Sequence, residues 1–404
     1  MRESPDVSLP DLWAANAWRP IFAKLRAENP VSHCPQSAYG PYWSIVRHND
    51  VIDIENDPER FSSASENGGI VISDTRAEGV QLGMFIAMDG PEHARKRKVV
   101  SPAFTPSGVK GMAGSLRQRT GELLDRLPVG QRLDWVRSVS IPLTTAMIAT
   151  LFDFPWEERH KLSLWSDWVA RFEIGDDTQL NLERERQMLA MAARFGELYR
   201  ARGAASAGDD LLSIMAHSDA FGVLDRKAFM GAIALLLVGG NDTTRHSMSG
   251  LIEQIDLFPE AWARVKADPA RLASGAATET IRLQTPLSHM RRTATRDVEL
   301  HGKSIRKGDK VVLWYNSGNR DEAVFPDPDR WDPARENSRR HLSFGHGVHR
   351  CLGARLAELQ VATLVEEMAR RNMEVRIVGE PERLPSCFIN EFERMPVEIA
   401  RKLD

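Results

Sequence analysis

The stretch His341-Leu-Ser-Phe-Gly-His-Gly-Val-His-Arg-Cys351-Leu-Gly-Ala-Arg-Leu-Ala-Glu-Leu359 places a cysteine between a glycine-bearing loop and an apolar-periodic segment. Leu352, Leu356, Leu359, Val361 and Leu364 recur at three- and four-residue spacing, so a helix is expected over 351–370 with Cys351 at or near its start. The unpaired N–H groups of a helix start, with those of the loop 345–349, point at an anion. Gly345 and Gly347 let the backbone turn close to the sulfur. Cations beside the sulfur, here Arg350 and His349, favour a thiolate. The residues alone leave two readings open. Cys351 is a thiolate ligand for a metal, or it is a buried free cysteine beside a satisfied histidine, free cysteine being among the most buried residue types.

Outward from this stretch, the chain runs to 404 residues, 42% of them hydrophobic, enough for a large core. A net charge of −3 argues against a general nucleic-acid binder. The three cysteines, Cys34, Cys351 and Cys387, are odd in number and far apart. They form no disulfide framework and fit a reducing cytosol. Asp6, Asp11, Arg19, Lys24, Arg26 and Glu28 interrupt the amino-terminal region, which therefore reads as neither signal peptide nor anchor. The longest apolar run, Ala228–Gly240, falls short of the roughly 20 residues a membrane helix needs. A soluble, cytoplasmic protein without a membrane anchor is expected.

Helical periodicity dominates, near 11–28, 92–102, 108–126, 139–152, 157–173, 181–204, 226–257, 260–283 and 351–370. Shorter β-rich pieces lie at 42–47, 288–301, 309–314, 372–379 and 395–400. Strands and helices do not alternate regularly, which argues against a doubly wound parallel sheet. The long connections 64–90 and 321–350 are of the kind that carry function. No linker divides the chain. The expected fold is mainly α with small β-sheets (α+β), one domain over 1–404.

Three further constellations stand out. Leu235-Leu-Leu-Val-Gly-Gly-Asn-Asp-Thr-Thr244 sets two glycines inside a helix, at a cost of about 1 kcal/mol each against alanine. Close approach by a ligand would offset that cost; a kink or helix restart is the other reading. Glu279 and Arg282, three apart on one helix face, read by default as a surface ion pair. His93 and Arg97, four apart, read as a solvated basic face unless they converge on an anion.

Phe344-Gly-His-Gly-Val-His-Arg-Cys351-Leu-Gly353 resembles the haem-ligand loop of the cytochrome P450 superfamily. The segment 239–244 resembles its oxygen-binding motif, Glu279-Thr-Ile-Arg282 its Glu-x-x-Arg motif, and Phe325–Pro333 the meander before the loop. The motifs stand in the family's order. The resemblance implies haem b (iron protoporphyrin IX) between a long central helix and the cysteine loop. Cys351 would be the axial iron ligand, Phe344 would shield the sulfur, and Gly353 would complete the loop. His93, Arg97, Arg292 and His349 would hold the haem propionates. Gly239 and Gly240 would open a groove for dioxygen, and Asp242 and Thr243 would deliver protons. Glu279 and Arg282 would lock the meander, with Arg330 as third member. The implied activity is a monooxygenase that inserts one atom of O2 into an unactivated C–H bond. No flavin or iron–sulfur segment is present, so a ferredoxin and an NAD(P)H-dependent ferredoxin reductase are implied. Arg339, Arg340, Arg350 and Arg355 would steer an acidic ferredoxin.

A finer resemblance is to bacterial cytochromes P450 that hydroxylate medium-chain alkanes and fatty acids at the terminal carbon. It rests on Pro41–Ser44, Met84–Asp89, Gly240–Arg245 with Ser247–Gly250, Trp314–Glu322 and Phe392–Pro396. His246, Gly90 and His346 depart from that group, which bears on substrate chain length more than on chemistry. The match places Met84, Phe85, Ile86, Leu235, Val238, Gly239, Leu287, Met290, Phe388 and Ile389 around a hydrophobic small-molecule substrate. A terpene or other hydrophobic small-molecule hydroxylase is the alternative within the superfamily, and a haem-based sensor or carrier the alternative outside catalysis.

Overall fold

The computed structural model describes residues 4–74, 83–170, 178–221 and 226–401. The helical periodicities become helices packed around one long element, Arg226–Leu257, which runs unbroken through both glycines. The central helix joins two apolar clusters. Its amino-terminal half sends Ala232, Ile233 and Leu237 into a cluster with Phe152, Trp165 and Phe195. Its carboxy-terminal half sends Met248, Leu251, Ile252 and Ile255 into another, with Trp262, Leu364 and Met368. Between the two lies a buried polar segment, Asn241, Asp242, Thr244, Arg245 and His246, each at most 3% exposed. Buried polar groups must find partners, so this segment is where function is sought.

Prolines set the helix boundaries that periodicity alone runs together. The segment 260–283 is two helices, Pro259–Ala267 and Pro269–Gln284. Pro269 has no N–H to continue the first, while the Asp268 side chain accepts from Arg271 N and caps the second. The segment 11–28 likewise divides into Pro10–Ala14 and Arg19–Glu28, with Asn16 left-handed at φ 51° between them. The segment 139–152 forms a π turn, Val136–Ser140, followed by the helix Ile141–Leu151. The helix expected over 157–173 runs His160–Ala170, and 171–173 lie outside the described residues, as do 75–82 of the connection 64–90. The helix over the cysteine region is Ala354–Arg370, so Cys351 precedes it by three residues. Two short helices, His48–Glu55 and Leu211–Ala216, carry no clear periodicity and are found only in the structure.

The largest sheet has five strands in the order Val31–Cys34, Tyr42–Ile45, Lys310–Trp314, His289–Ala294 and Phe61–Ser62. Its pairings are antiparallel except that of Tyr42–Ile45 with Lys310–Trp314. A three-stranded sheet pairs Pro396–Arg401 with Arg132–Asp134 and with Met373–Ile377. The architecture is mainly helical with small sheets. Among the described residues no helix is long and apolar enough to cross a membrane.

Candidate functional site

The cysteine loop is a tight, backbone-bonded turn. Gly345 N donates to Leu342 O at 2.8 Å and Cys351 N donates to Phe344 O at 2.7 Å. Gly345 and Gly347 are both left-handed, at φ 63°. A Cβ on Gly347 would sit 2.2 Å from the carbonyl oxygen of Glu55, so glycine is required there by space as well as by backbone conformation. Burial pushes the Cys351 thiol pKa upward, against the lowering effects of Gly353 N–H, Arg97, Arg350 and Ala354 N–H. Desolvation therefore outweighs the anion-favouring donors that the sequence suggests. A cation on the sulfur would reverse the balance, since a coordinating thiol is deprotonated outright.

His93, Arg97, Arg292 and His349 line one cavity together with Cys351, Phe344 and Gly353. His93 and His349 face each other with ring centroids 4.2 Å apart. His93 Nε2 and His349 Nδ1 are buried without a hydrogen-bond partner. Burial, then Arg292, His93 and Arg97, depresses His349 to about 3; burial and Arg97 lower His93. Burial thus disfavours the charged form of both imidazoles, and each keeps a buried nitrogen open to an acidic ligand. Arg97 Nη2 donates to Arg350 O at 2.6 Å, tying the helix Gly90–Val100 to the cysteine loop. Arg292 Nη2 donates to Glu55 Oε1 at 3.0 Å.

The central helix supplies the opposite wall. Gly239, Gly240 and Thr243 line the cavity. A Cβ on Gly239 would meet nothing within 4 Å, whereas one on Gly240 would lie 2.4 Å from Ile148 Cδ1. Thr243 Oγ1 donates to Gly239 O at 2.7 Å, so its hydroxyl occupies the carbonyl between the glycines. Asp242 is fully buried and does not line the cavity. Its Oδ1 accepts from Ser166 Oγ at 2.8 Å and Asn241 Nδ2 at 3.2 Å, and lies 3.5 Å from Arg245 Nη2. Arg245 in turn donates to Asp167 at 2.6 Å and Glu391 at 2.9 Å. Burial lifts the Asp242 carboxyl to about 7; Arg245 opposes, Asp167 and Glu391 add to the rise, and Ser166 opposes. Its Oδ2 is buried with no partner.

Met84, Phe85, Ile86, Leu235, Val238, Leu287, Met290 and Phe388 also line the cavity. Ile389 does not. Its backbone bridges to Leu287, and its side chain packs in the apolar cluster that also holds Val311, Leu313 and Phe388. The charged and imidazole residues of this lining are Glu55, His93, Arg97, Arg292 and His349, and Glu55, Arg97 and His93 each contact the loop that carries Cys351.

Glu279 and Arg282 are not a surface pair: both side chains are 0% exposed. Arg282 forks onto Glu279 at 2.7 and 2.9 Å and donates to the carbonyls of Asn319 and Pro328. The third member is Arg335, not Arg330. Arg335 Nε donates to Glu279 Oε2 at 2.8 Å, and its other nitrogens reach the carbonyls of Pro326 and Asp327. Arg330 is exposed and contributes only its carbonyl oxygen. The left-handed turn at Asp327, φ 47°, reverses the chain here and brings the later arginine under the carboxylate.

The sequence gives no sign of Glu55, Tyr315, Ser166, Asp167 or Glu391. Their partners lie 76 or more positions away in the chain, beyond any local motif. Among the described residues no cluster of three or more His, Cys, Asp or Glu could hold a bare metal ion. One thiol, two guanidinium groups and two imidazoles with unpaired nitrogens, converging on an apolar cavity, instead fit an iron porphyrin with two carboxylates.

Comparison with known proteins gives the same family throughout. A sequence profile described as Cytochrome P450 matches residues 272–376. Linalool 8-monooxygenase of Pseudomonas putida is 36% identical over 414 residues, covering 99% of this chain and 100% of that protein. A methyl-branched lipid omega-hydroxylase of Mycobacterium tuberculosis is 32% identical, over 93% and 90% of the two chains. The solved structure of CYP153D17 from Sphingomonas sp. PAMC 26605 is 49% identical and superposes with a TM-score of 0.93, over 98% of this chain and 99% of that one.

Proposed function

The chain belongs to the cytochrome P450 family of monooxygenases, and from that premise we propose that it hydroxylates the terminal carbon of a medium-chain alkane or fatty acid. The observation that carries this reading is the apolar lining of the cavity. Met84, Phe85, Ile86, Leu235, Val238, Leu287, Met290 and Phe388 present apolar surface, while the charged lining residues are few. Such a lining suits an alkyl chain. The name of the mycobacterial relative, an omega-hydroxylase, supports attack at a chain end.

Haem b, when bound, supplies the activation of O2 and its insertion into the C–H bond. The residues supply the rest. Cys351 ligates the iron through its thiolate, and Phe344 covers the sulfur. Gly353 leaves room where the loop enters the helix. Arg97 and Arg292 would neutralise the haem carboxylates, which buried charge demands, and His93 and His349 would hydrogen-bond to them. Gly239 and Gly240 keep the central helix thin at the reacting centre. Asp242 stores a proton in a dry site, and Thr243 Oγ1 is the hydroxyl on the cavity side that passes protons on. Terminal C–H bonds are less reactive than internal ones, so the apolar wall must admit only the chain end. Electrons come from a ferredoxin, itself reduced by an NAD(P)H-dependent reductase, in the cytoplasm. The whole chain, 1–404, acts as one domain.

A terpene substrate is the second reading, favoured by the relative named linalool 8-monooxygenase. Turnover with ferredoxin, reductase and NADH on series of alkanes, fatty acids and terpenes separates the two. Terminal alcohols from linear chains are expected. Internal alcohols as main products, or turnover of terpenes alone, would overturn the proposal.

A further inference from the structure

The loop that carries Cys351 is held from outside by one carboxylate. Glu55 ends the helix His48–Glu55, and its side chain is 1% exposed. Oε1 accepts from Arg292 Nη2 at 3.0 Å and from Tyr315 Oη at 2.6 Å. Oε2 accepts the backbone N–H of His346 at 2.7 Å. Glu55 also lines the cavity, and its carbonyl oxygen is the atom that excludes a side chain at Gly347. One residue thus touches the arginine assigned to a haem carboxylate and the loop assigned to the iron ligand.

We infer that Glu55 is a positioning residue for the haem: it fixes Arg292 and the cysteine loop relative to each other, and its negative charge lowers the reduction potential of the bound iron. The inference rests on the reading of the cavity as a haem site. Its physical basis is a charge count. Arg97 and Arg292 bring two positive charges to two haem carboxylates. Burial raises the Glu55 pKa above the ordinary glutamate value, and Arg292, the Tyr315 hydroxyl and the His346 N–H oppose that rise. Three donors converge on its oxygens, and the Arg292 guanidinium sets a counter-charge against the carboxylate in this buried place. Arg292 Nη1 already donates to Arg291 O at 2.8 Å, so its remaining capacity is divided between Glu55 and the haem. An extra anion stabilises the oxidised iron over the reduced iron, because the oxidised centre carries one more positive charge.

The test uses holoenzyme of the wild type, Glu55→Gln, Glu55→Asp and Tyr315→Phe. Glu55→Gln removes the charge and sets an amide N–H against the N–H of His346. Its midpoint potential is expected to rise, by about a three- to tenfold change in the reduction equilibrium, where tenfold is 59 mV for one electron. Haem transfer to an acceptor apoprotein is expected to quicken as the loop loosens. Glu55→Asp is expected to return the potential toward the wild-type value. Tyr315→Phe keeps the carboxylate but removes a donor, so its potential is expected to move the opposite way, downward, and this holds even where Glu55→Gln fails to fold. Unchanged potentials in Glu55→Gln or Tyr315→Phe, with the wild-type thiolate spectrum intact, would overturn the inference alone. A wild type without that spectrum would overturn the haem reading, and the inference with it.

Discussion

Asp242 sits in a site that favours its neutral form. Its folded pKa of about 7 lies above the ordinary 3.8 because burial dominates. The folded protein therefore binds this proton more tightly than the unfolded chain. The stabilising contribution is complete below about pH 3.8 and is lost as pH rises through about 7. The same window should govern the proton delivery proposed for Asp242. Product formed per NADH consumed should fall as pH rises through about 7, and Asp242→Asn should flatten that dependence while slowing turnover on the order of a hundredfold. A profile with the same midpoint in Asp242→Asn would remove Asp242 from the relay. At the neighbouring position, Thr243→Ala deletes the hydroxyl that lies 2.7 Å from Gly239 O. NADH consumption should continue in that variant while product falls; full coupling would refute the role.

At the scale of elements, the buried ion cluster joins the helix Pro269–Gln284 to the segment 326–335 through one carboxylate and two guanidinium groups. Glu279→Ala would strand Arg282 without its counter-ion in a fully buried place, at a cost of about 3–5 kcal/mol. Arg335→Ala removes one charged hydrogen bond and should cost about 1.5–3 kcal/mol. Arg330→Ala should lie within about 0.5 kcal/mol of the wild type, as surface changes do. Denaturant melts of the three variants check the ranking, and a destabilised Arg330→Ala with a neutral Arg335→Ala would contradict it. The contrast also shows what the sequence makes legible. The Glu-x-x-Arg pair is local, so its spacing is visible. The third member depends on a left-handed turn at Asp327, which spacing does not reveal. Long helices such as Arg226–Leu257 are legible because one face repeats many times. His48–Glu55 is eight residues, about two turns, too short for its buried apolar pair Val51 and Ile54 to repeat, so its periodicity is silent and Glu55 goes unseen. The family resemblance places Ile389 beside Phe388 in the pocket, whereas the structure lines the cavity with Phe388 and leaves Ile389 within the apolar cluster.

For the whole molecule, a net charge of −3 coexists with four exposed arginines, 339, 340, 350 and 355, flanking the cysteine loop. Charge separated in this way steers an acidic partner to one face and raises association rates by about 10–1000-fold at low salt. Reduction by a ferredoxin should therefore slow steeply with ionic strength, and replacing two of these arginines by glutamine should weaken the slope; rates indifferent to salt would count against steering. The molecular design that gives this face its purpose is the division of the core by the polar stretch of the central helix. Apolar clusters on either side leave one cavity where a thiol, neutral imidazoles and guanidinium groups meet an apolar wall. Every functional statement above depends on iron being bound there by the sulfur of Cys351. The direct measurement is the absorption spectrum of the reduced, carbon monoxide-treated protein, wild type against Cys351→Ser. The account predicts the long-wavelength Soret band of thiolate ligation in the wild type and its loss in the variant. The same band in Cys351→Ser, or a colourless wild type that still turns over substrate, would contradict it.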